Sequence, residues 1–151
     1  MKPFAAKGFV VLRPFLREMA LHLAYTCQMI ITMINQDDVP DYVGMRIPEI
    51  AGELQREDNM KNVFGSVHVL LDYTLRKIKE QDLLTVKKCF SLAEDLYIEG
   101  TGRVKCAIEN VFIFSFSQFP NLKTEDMKEL MKLIPATLYS IYLGQVLHHG
   151  V

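Results

Sequence analysis

Apolar residues in this chain recur at spacings of three, four and one, which is the signature of one buried helical face. Met60, Val63, Phe64, Val67, Leu70, Leu71, Thr74, Leu75 and Ile78 hold that period for about five turns. The opposite face carries Lys61, Gly65, Asp72, Arg76 and Lys79. The pattern predicts a helix over residues 59–80, with Asp58 as its N-cap, since a short acceptor side chain bonds a free N–H of the first turn. A second stripe, Val86, Cys89, Phe90, Ala93, Leu96 and Tyr97, is opposed by Lys87, Lys88, Ser91, Glu94 and Asp95. It predicts a helix over 83–98, capped by Asp82 and stopped at Gly100-Thr101-Gly102.

Residues 103–119 follow another rule. Val104, Cys106, Ala107, Ile108, Val111, Phe112, Ile113, Phe114, Phe116 and Phe119 point in nearly every direction of a helical wheel. A helix apolar all round is buried on most sides. The run is too long and too poorly alternating for a strand. Pro120 ends it, Thr124 with Glu125 and Asp126 opens a helix to about residue 134, and Pro135 separates that from a last helix over 136–147. Towards the N-terminus, Pro14 suits the first turn of a long helix reaching about Ile34. Pro40 and Gly44 mark a loop, and Pro48 opens a short helix through about Gln55.

These elements predict an all-α fold: an irregular array of six or seven helices around a central helix over 103–119. Two antiparallel hairpins, 59–80 with 83–98 and 103–119 with 125–147, make it loosely HEAT- or armadillo-like, without a sequence repeat of fixed period. The chain reads as a single domain over 1–151, with 1–46 an N-terminal extension and 47–150 the helical core.

With 151 residues, half of them hydrophobic, the chain buries a real core and is not a disordered composition. A net charge of −1 supplies no field for nucleic acid or an anionic membrane. Local charge is less even. Asp37, Asp38, Asp41, Glu49, Glu53, Glu57 and Asp58 face only Arg46 and Arg56 between residues 35 and 58, and bases dominate from Lys61 to Lys88. Residues 19–34 lack formal charge, but they fall short of the roughly 20 apolar residues a span needs. They are also interrupted by His22, Tyr25, Thr26, Gln28 and Thr32. The expectation is a buried helix, not a membrane anchor. Cys27, Cys89 and Cys106 are odd in number, lie among apolar residues and match no motif, which suits plain packing in a reducing, cytoplasmic compartment.

No catalytic, metal or cofactor constellation emerges. No His among His22, His68, His148 and His149 stands four residues from another His or a Cys, and there is no glycine-rich phosphate loop. Glu94-Asp95 and Glu125-Asp126 read as outward-facing. Two polar features draw interest. Glu109 is a carboxylate in the most apolar helix, sharing a face with Lys105, Phe112 and Phe116. A charge there needs a partner, and a structural ion pair or a cap to a neighbouring helix terminus is the expectation, with a binding site as the alternative. Val69 and Tyr73 lie on the otherwise polar face of the 59–80 helix, beside Arg76. An apolar–aromatic–arginine strip fits a contact surface, although packing under the N-terminal region is equally simple. Val69, Tyr73, Arg76 and Glu109 are therefore the candidate partner-binding residues.

Ile47-Pro48-Glu49-Ile50, Val86-Lys87-Lys88-Cys89-Phe90 with Ala93-Glu94, Tyr97 to Gly100, Glu109-Asn110-Val111-Phe112 and Leu138-Tyr139-Ser140-Ile141-Tyr142 resemble an uncharacterised bacterial family of small all-helical proteins. The resemblance covers roughly residues 47–150, through motifs of helix packing rather than chemistry. It is similar in look to the immunity proteins of bacterial toxin systems, a fold-level analogy. It implies a non-enzymatic cytoplasmic module that binds another protein, with an immunity-type inhibitor of a toxin as the most concrete form. The alternatives are a small enzyme or ligand-binding protein with Glu109 in an internal pocket, and a structural homo-oligomer.

Overall fold

The structure is a computed structural model that describes residues 17–21, 33–116 and 123–149. Contacts divide the chain between Met33 and Ile34. Before that point the described residues 17–21 are helical. The rest of the 19–34 run, including His22 and Cys27, lies outside the described residues, as do Phe119 and Pro120.

From Ile34 onward the fold is all-α. A 3₁₀ turn at Gln36–Asp38 leads into α1 (Val39–Arg46), and a second at Pro48–Ile50 into α2 (Ala51–Leu54). Next come α3 (Glu57–Met60), α4 (Val63–Lys79) and α5 (Leu83–Glu99). A composite helix over 102–116 follows: α6 (Gly102–Ala107), a π-helical segment (Ile108–Ile113) and α7 (Phe114–Phe116). The last two are α8 (Thr124–Leu133) and α9 (Ala136–His149). The described residues hold no strand, only an isolated parallel bridge between Ile34 and Gly100. Ile34 N–H donates to Glu99 O at 2.9 Å, and Thr101 N–H donates to Ile34 O at 3.0 Å.

Two local expectations are corrected. The segment around Pro40 and Gly44 is helix α1, not a loop. Pro40 sits in the first turn, where its missing N–H costs no bond, and Gly44 lies close against Ala51, where a Cβ would be 3.4 Å from that methyl. The long helix starts at Val63, not at residue 59, and its cap is Asn62, whose side chain accepts from Phe64 N–H at 3.1 Å. Residues 57–60 form a separate turn, because Asn59 is engaged elsewhere: its amide donates to Glu53 O at 2.8 Å and its carbonyl accepts from Ser66 Oγ at 2.9 Å. The Asp82 cap is as predicted, accepting from Thr85 N–H and Oγ.

The α4–α5 turn ends α4 with paired bonds, Asp82 N–H to Lys77 O and Gln81 N–H to Ile78 O, both 3.0 Å. That is a Schellman arrangement, with Gln81 at φ 58° in the left-handed position that glycine usually fills. The three-residue turn makes α4 and α5 an antiparallel hairpin, as the spacing predicts.

The core has two centres. The helix over 102–116 buries Val104, Ala107, Ile108, Val111, Phe112, Ile113 and Phe116, but Arg103, Cys106, Asn110 and Phe114 lie exposed along one side, so it is not covered all round as its apolar circumference predicts. Phe112 and Phe116 meet Phe90 of α5 edge-to-face, with centroids 5.2 to 6.2 Å apart. Such pairs add about 0.5–1.5 kcal/mol beyond area burial. The second centre is α4, which packs against α1, Pro48–Ile50, α2, α3, α5, α6 and the π segment. It buries residues on the face that the sequence marks as polar.

Candidate functional site

Glu109 lies inside the π segment, half-buried. Its carboxylate Oε1 accepts from the Tyr97 hydroxyl of α5 at 2.9 Å. The expected buried cation is not there: no ion pair among the described residues involves Glu109. Lys105, on the same helix, places its ammonium 6.0 Å from the Tyr97 ring centroid. The hydrogen bond to Glu109, then burial, then the Glu109 charge hold the Tyr97 phenol above its usual pKa. A tyrosine hydroxyl satisfies the carboxylate because it donates without bringing a second charge into a partly apolar site.

The π turn has its own consequences. It displaces the regular i→i−4 donors, so Phe114 N–H reaches back five residues to Glu109 O. Side chains supply further donors to the ladder. Asn110 Nδ2 donates to Cys106 O at 2.9 Å, Ser115 Oγ to Val111 O at 2.6 Å, and Gln145 Nε2 of α9 to Glu109 O at 2.9 Å. The Gln145 Oε1 atom is buried and has no hydrogen-bond donor among the described residues. Gln145 escaped the sequence reading, although it is the one side-chain amide in α9.

Val69 and Tyr73 are buried, 9% and 4% exposed, so they do not form an open strip. Burial, then the neighbouring Glu49 carboxylate, push the Tyr73 phenol up. Glu49 thus belongs to the segment that covers this side of α4. Arg76 is exposed, with its guanidinium 5.5 Å from the Tyr73 ring centroid. Glu109 is not joined to these residues by any hydrogen bond or ion pair, so the four candidates do not make one site. Asp95 does not simply point outward. It accepts from Arg46 at 3.0 Å, and Arg46 also donates to Tyr42 OH at 2.9 Å, which clamps α1 to α5.

The cysteines differ from the uniform burial expected of them. Cys89 is buried, its thiol pushed up by desolvation, whereas Cys106 is exposed and accepts from Asn110 Nδ2 at 3.2 Å. Both are free. His68 and His148 are exposed, and the described residues contain no group of three or more His, Cys, Asp or Glu that could hold a metal ion. No described helix is long and apolar enough to cross a membrane.

A cleft of about 380 Å³ opens where the α4–α5 turn meets α8, lined by Ile78, Lys79, Gln81, Leu83, Glu129 and Leu130 among others. Glu109 is not part of its wall.

The surface feature that stands apart is on α9. Leu138 is buried, and Ile141, Tyr142 and Gln145 are partly buried on the same side. The other side exposes Tyr139 (40%), Leu143 (39%), Val146 (41%) and Leu147 (72%). Those positions are four, seven and eight residues apart, one continuous stripe. No Asp, Glu, Lys or Arg occurs in α9. The exposed faces of the other long helices do carry charge: Asp72, Arg76 and Lys79 on α4, Lys87 and Lys88 on α5, Glu125, Asp126, Lys128, Glu129 and Lys132 on α8. The signal available in the sequence was the lack of charge from 136 to 147.

No curated protein and no solved structure matches the chain. Residues 40–149, from the second residue of α1 to the last of α9, match the family described as a domain of unknown function, DUF7674, and the chain belongs to that family.

Proposed function

We propose that this protein is a non-enzymatic, cytoplasmic module that binds another protein. The observation that carries the reading is the uncharged apolar stripe of α9, Tyr139, Leu143, Val146 and Leu147, on a surface whose other long helices present charge. Contiguous exposed apolar residues rimmed by polar ones mark contact surfaces. Inhibition of a toxin, in the manner of immunity proteins, is the most concrete form of this activity, and it rests on likeness of kind alone. Two free cysteines, one of them exposed, suit a reducing compartment.

The test is affinity capture from cells of the source organism, with full-length wild type beside a Leu143→Asp/Leu147→Asp variant. A partner retained by wild type and lost by the variant supports the reading. A partner held equally by both removes the α9 stripe as the contact surface. Protection of cells from the product of a neighbouring toxin-like gene, on co-expression, tests the immunity form.

A further inference from the structure

We infer that the cleft between the α4–α5 turn and α8 binds a small zwitterion, a free α-amino acid with an aliphatic side chain. No residue of α9 is part of its wall, so the site is separate from the α9 stripe and its test needs no protein partner.

The first argument is size and lining. The cleft's volume of about 380 Å³ lies within the range of small-molecule sites. Its lining is apolar at Leu130, which is buried, Ile78, which is half-buried, and Leu83, which is 44% exposed. An aliphatic side chain seated there removes the open part of Leu83 from water. The second argument is charge. Lys79 stands on the α4 side, and Asp126 and Glu129 stand on the α8 side. Glu129 is engaged by Lys132 at 2.7 Å. Lys79 and Asp126 line the same cleft, yet neither enters an ion pair among the described residues, with each other or with a third group. A molecule with an ammonium and a carboxylate on one carbon matches both sides. Its ammonium donates to Asp126, and its carboxylate accepts from Lys79. A ligand with a single charge leaves the other side unmatched. The third argument is the backbone. Gln81 holds φ 58°, where glycine avoids the penalty of a Cβ, and it lines the cleft. A glutamine where glycine is the easier choice is a local rule broken at the cleft, and such breaks gather at functional positions. Its amide offers the ligand both a donor and an acceptor.

The experiment uses the full chain, isotope-labelled and followed by amide NMR at pH 7. Titration with L-leucine should shift the amides of Ile78, Gln81, Leu83 and Asp126 and reach saturation. Leucinamide, which lacks the carboxylate, and 4-methylpentanoate, which lacks the ammonium, should each bind about tenfold more weakly. Asp126→Asn and Lys79→Gln should weaken leucine by a similar factor. Asp126→Asn should leave 4-methylpentanoate binding unchanged, and Lys79→Gln should leave leucinamide binding unchanged, because each analogue lacks the charge that the replaced residue matches. Gln81→Gly should raise the melting temperature by relieving the left-handed backbone and still weaken leucine, a pairing that a purely structural role does not produce. Lys88→Gln, exposed on α5 and not part of the cleft, should change nothing. Circular dichroism checks that each variant keeps its helices. The proposal is overturned if leucine, valine and methionine cause no shifts at millimolar concentration, or if leucine binding survives both Asp126→Asn and Lys79→Gln. Leucinamide bound as tightly as leucine would make the cleft a cation site, and a leucyl dipeptide bound more tightly than leucine would make its occupant a peptide end; either result also overturns it.

Discussion

Tyr97 donates its hydroxyl to the Glu109 carboxylate at 2.9 Å, which joins α5 to the π turn without a cation. The same glutamate is held through its main chain, since Gln145 of α9 donates to Glu109 O at 2.9 Å. Glu109 is thus the point where three helical segments meet, and its chemistry is that of an acceptor.

Glu109→Gln should therefore be mild. The amide keeps an acceptor oxygen for Tyr97, so the loss is the difference between a charged and a neutral hydrogen bond, about 1 kcal/mol. A buried ion pair losing one partner would instead cost about 3–5 kcal/mol. Urea denaturation of wild type and variant separates the two, and a loss above about 3 kcal/mol would mean that a cation had been missed. The Tyr97 phenol adds a pH signature. Its folded pKa is raised above that of an ordinary phenol, so its contribution to stability is full below about pH 10 and declines as pH rises through the folded value. Tyr97→Phe should flatten part of the alkaline fall in melting temperature. Tyr42 and Tyr73, also raised, keep the rest.

Phe112→Ala should cost about 3–5 kcal/mol, because its fully buried ring packs on both Phe90 and Phe116 and the neighbours cannot close the space. Chemical denaturation measures it. A change below about 1 kcal/mol would place the ring outside the core.

The caps separate sharply. Asn62→Ala removes the acceptor for Phe64 N–H and should lower stability by about 1 kcal/mol. Asp58→Ala, at an exposed position inside α3, should change it by less than about 0.5 kcal/mol. The reverse order in thermal melts would restore Asp58 as the start of the long helix.

Thiol labelling should follow exposure. In a Cys27→Ser background, a disulfide reagent at pH 8 should react with Cys106 at once and with Cys89 only on unfolding. Burial both shields the Cys89 sulfur and disfavours its thiolate. Rapid reaction at both sites in the native protein would contradict the packing of α5 on α4.

The hydrophobic period by itself determined the all-α class, the α4–α5 hairpin, the Asp82 cap, the buried aromatic helix and the break at Pro135. Each follows from a 3.6-residue repeat or from a backbone group that proline or a cap residue removes or satisfies locally. Tertiary structure decided what lies over each face. Val69 and Tyr73 look like a surface strip along α4, yet both are buried, with Glu49 of the preceding segment beside Tyr73, and no wheel of a single helix can show that. Asn62 replaced Asp58 as cap because Asn59 bonds across to Glu53 and Ser66. Glu109 found a tyrosine from α5 rather than a cation, and its carbonyl an amide from α9, because the partners of a half-buried polar group are set by the helices packed around it and not by its neighbours in sequence.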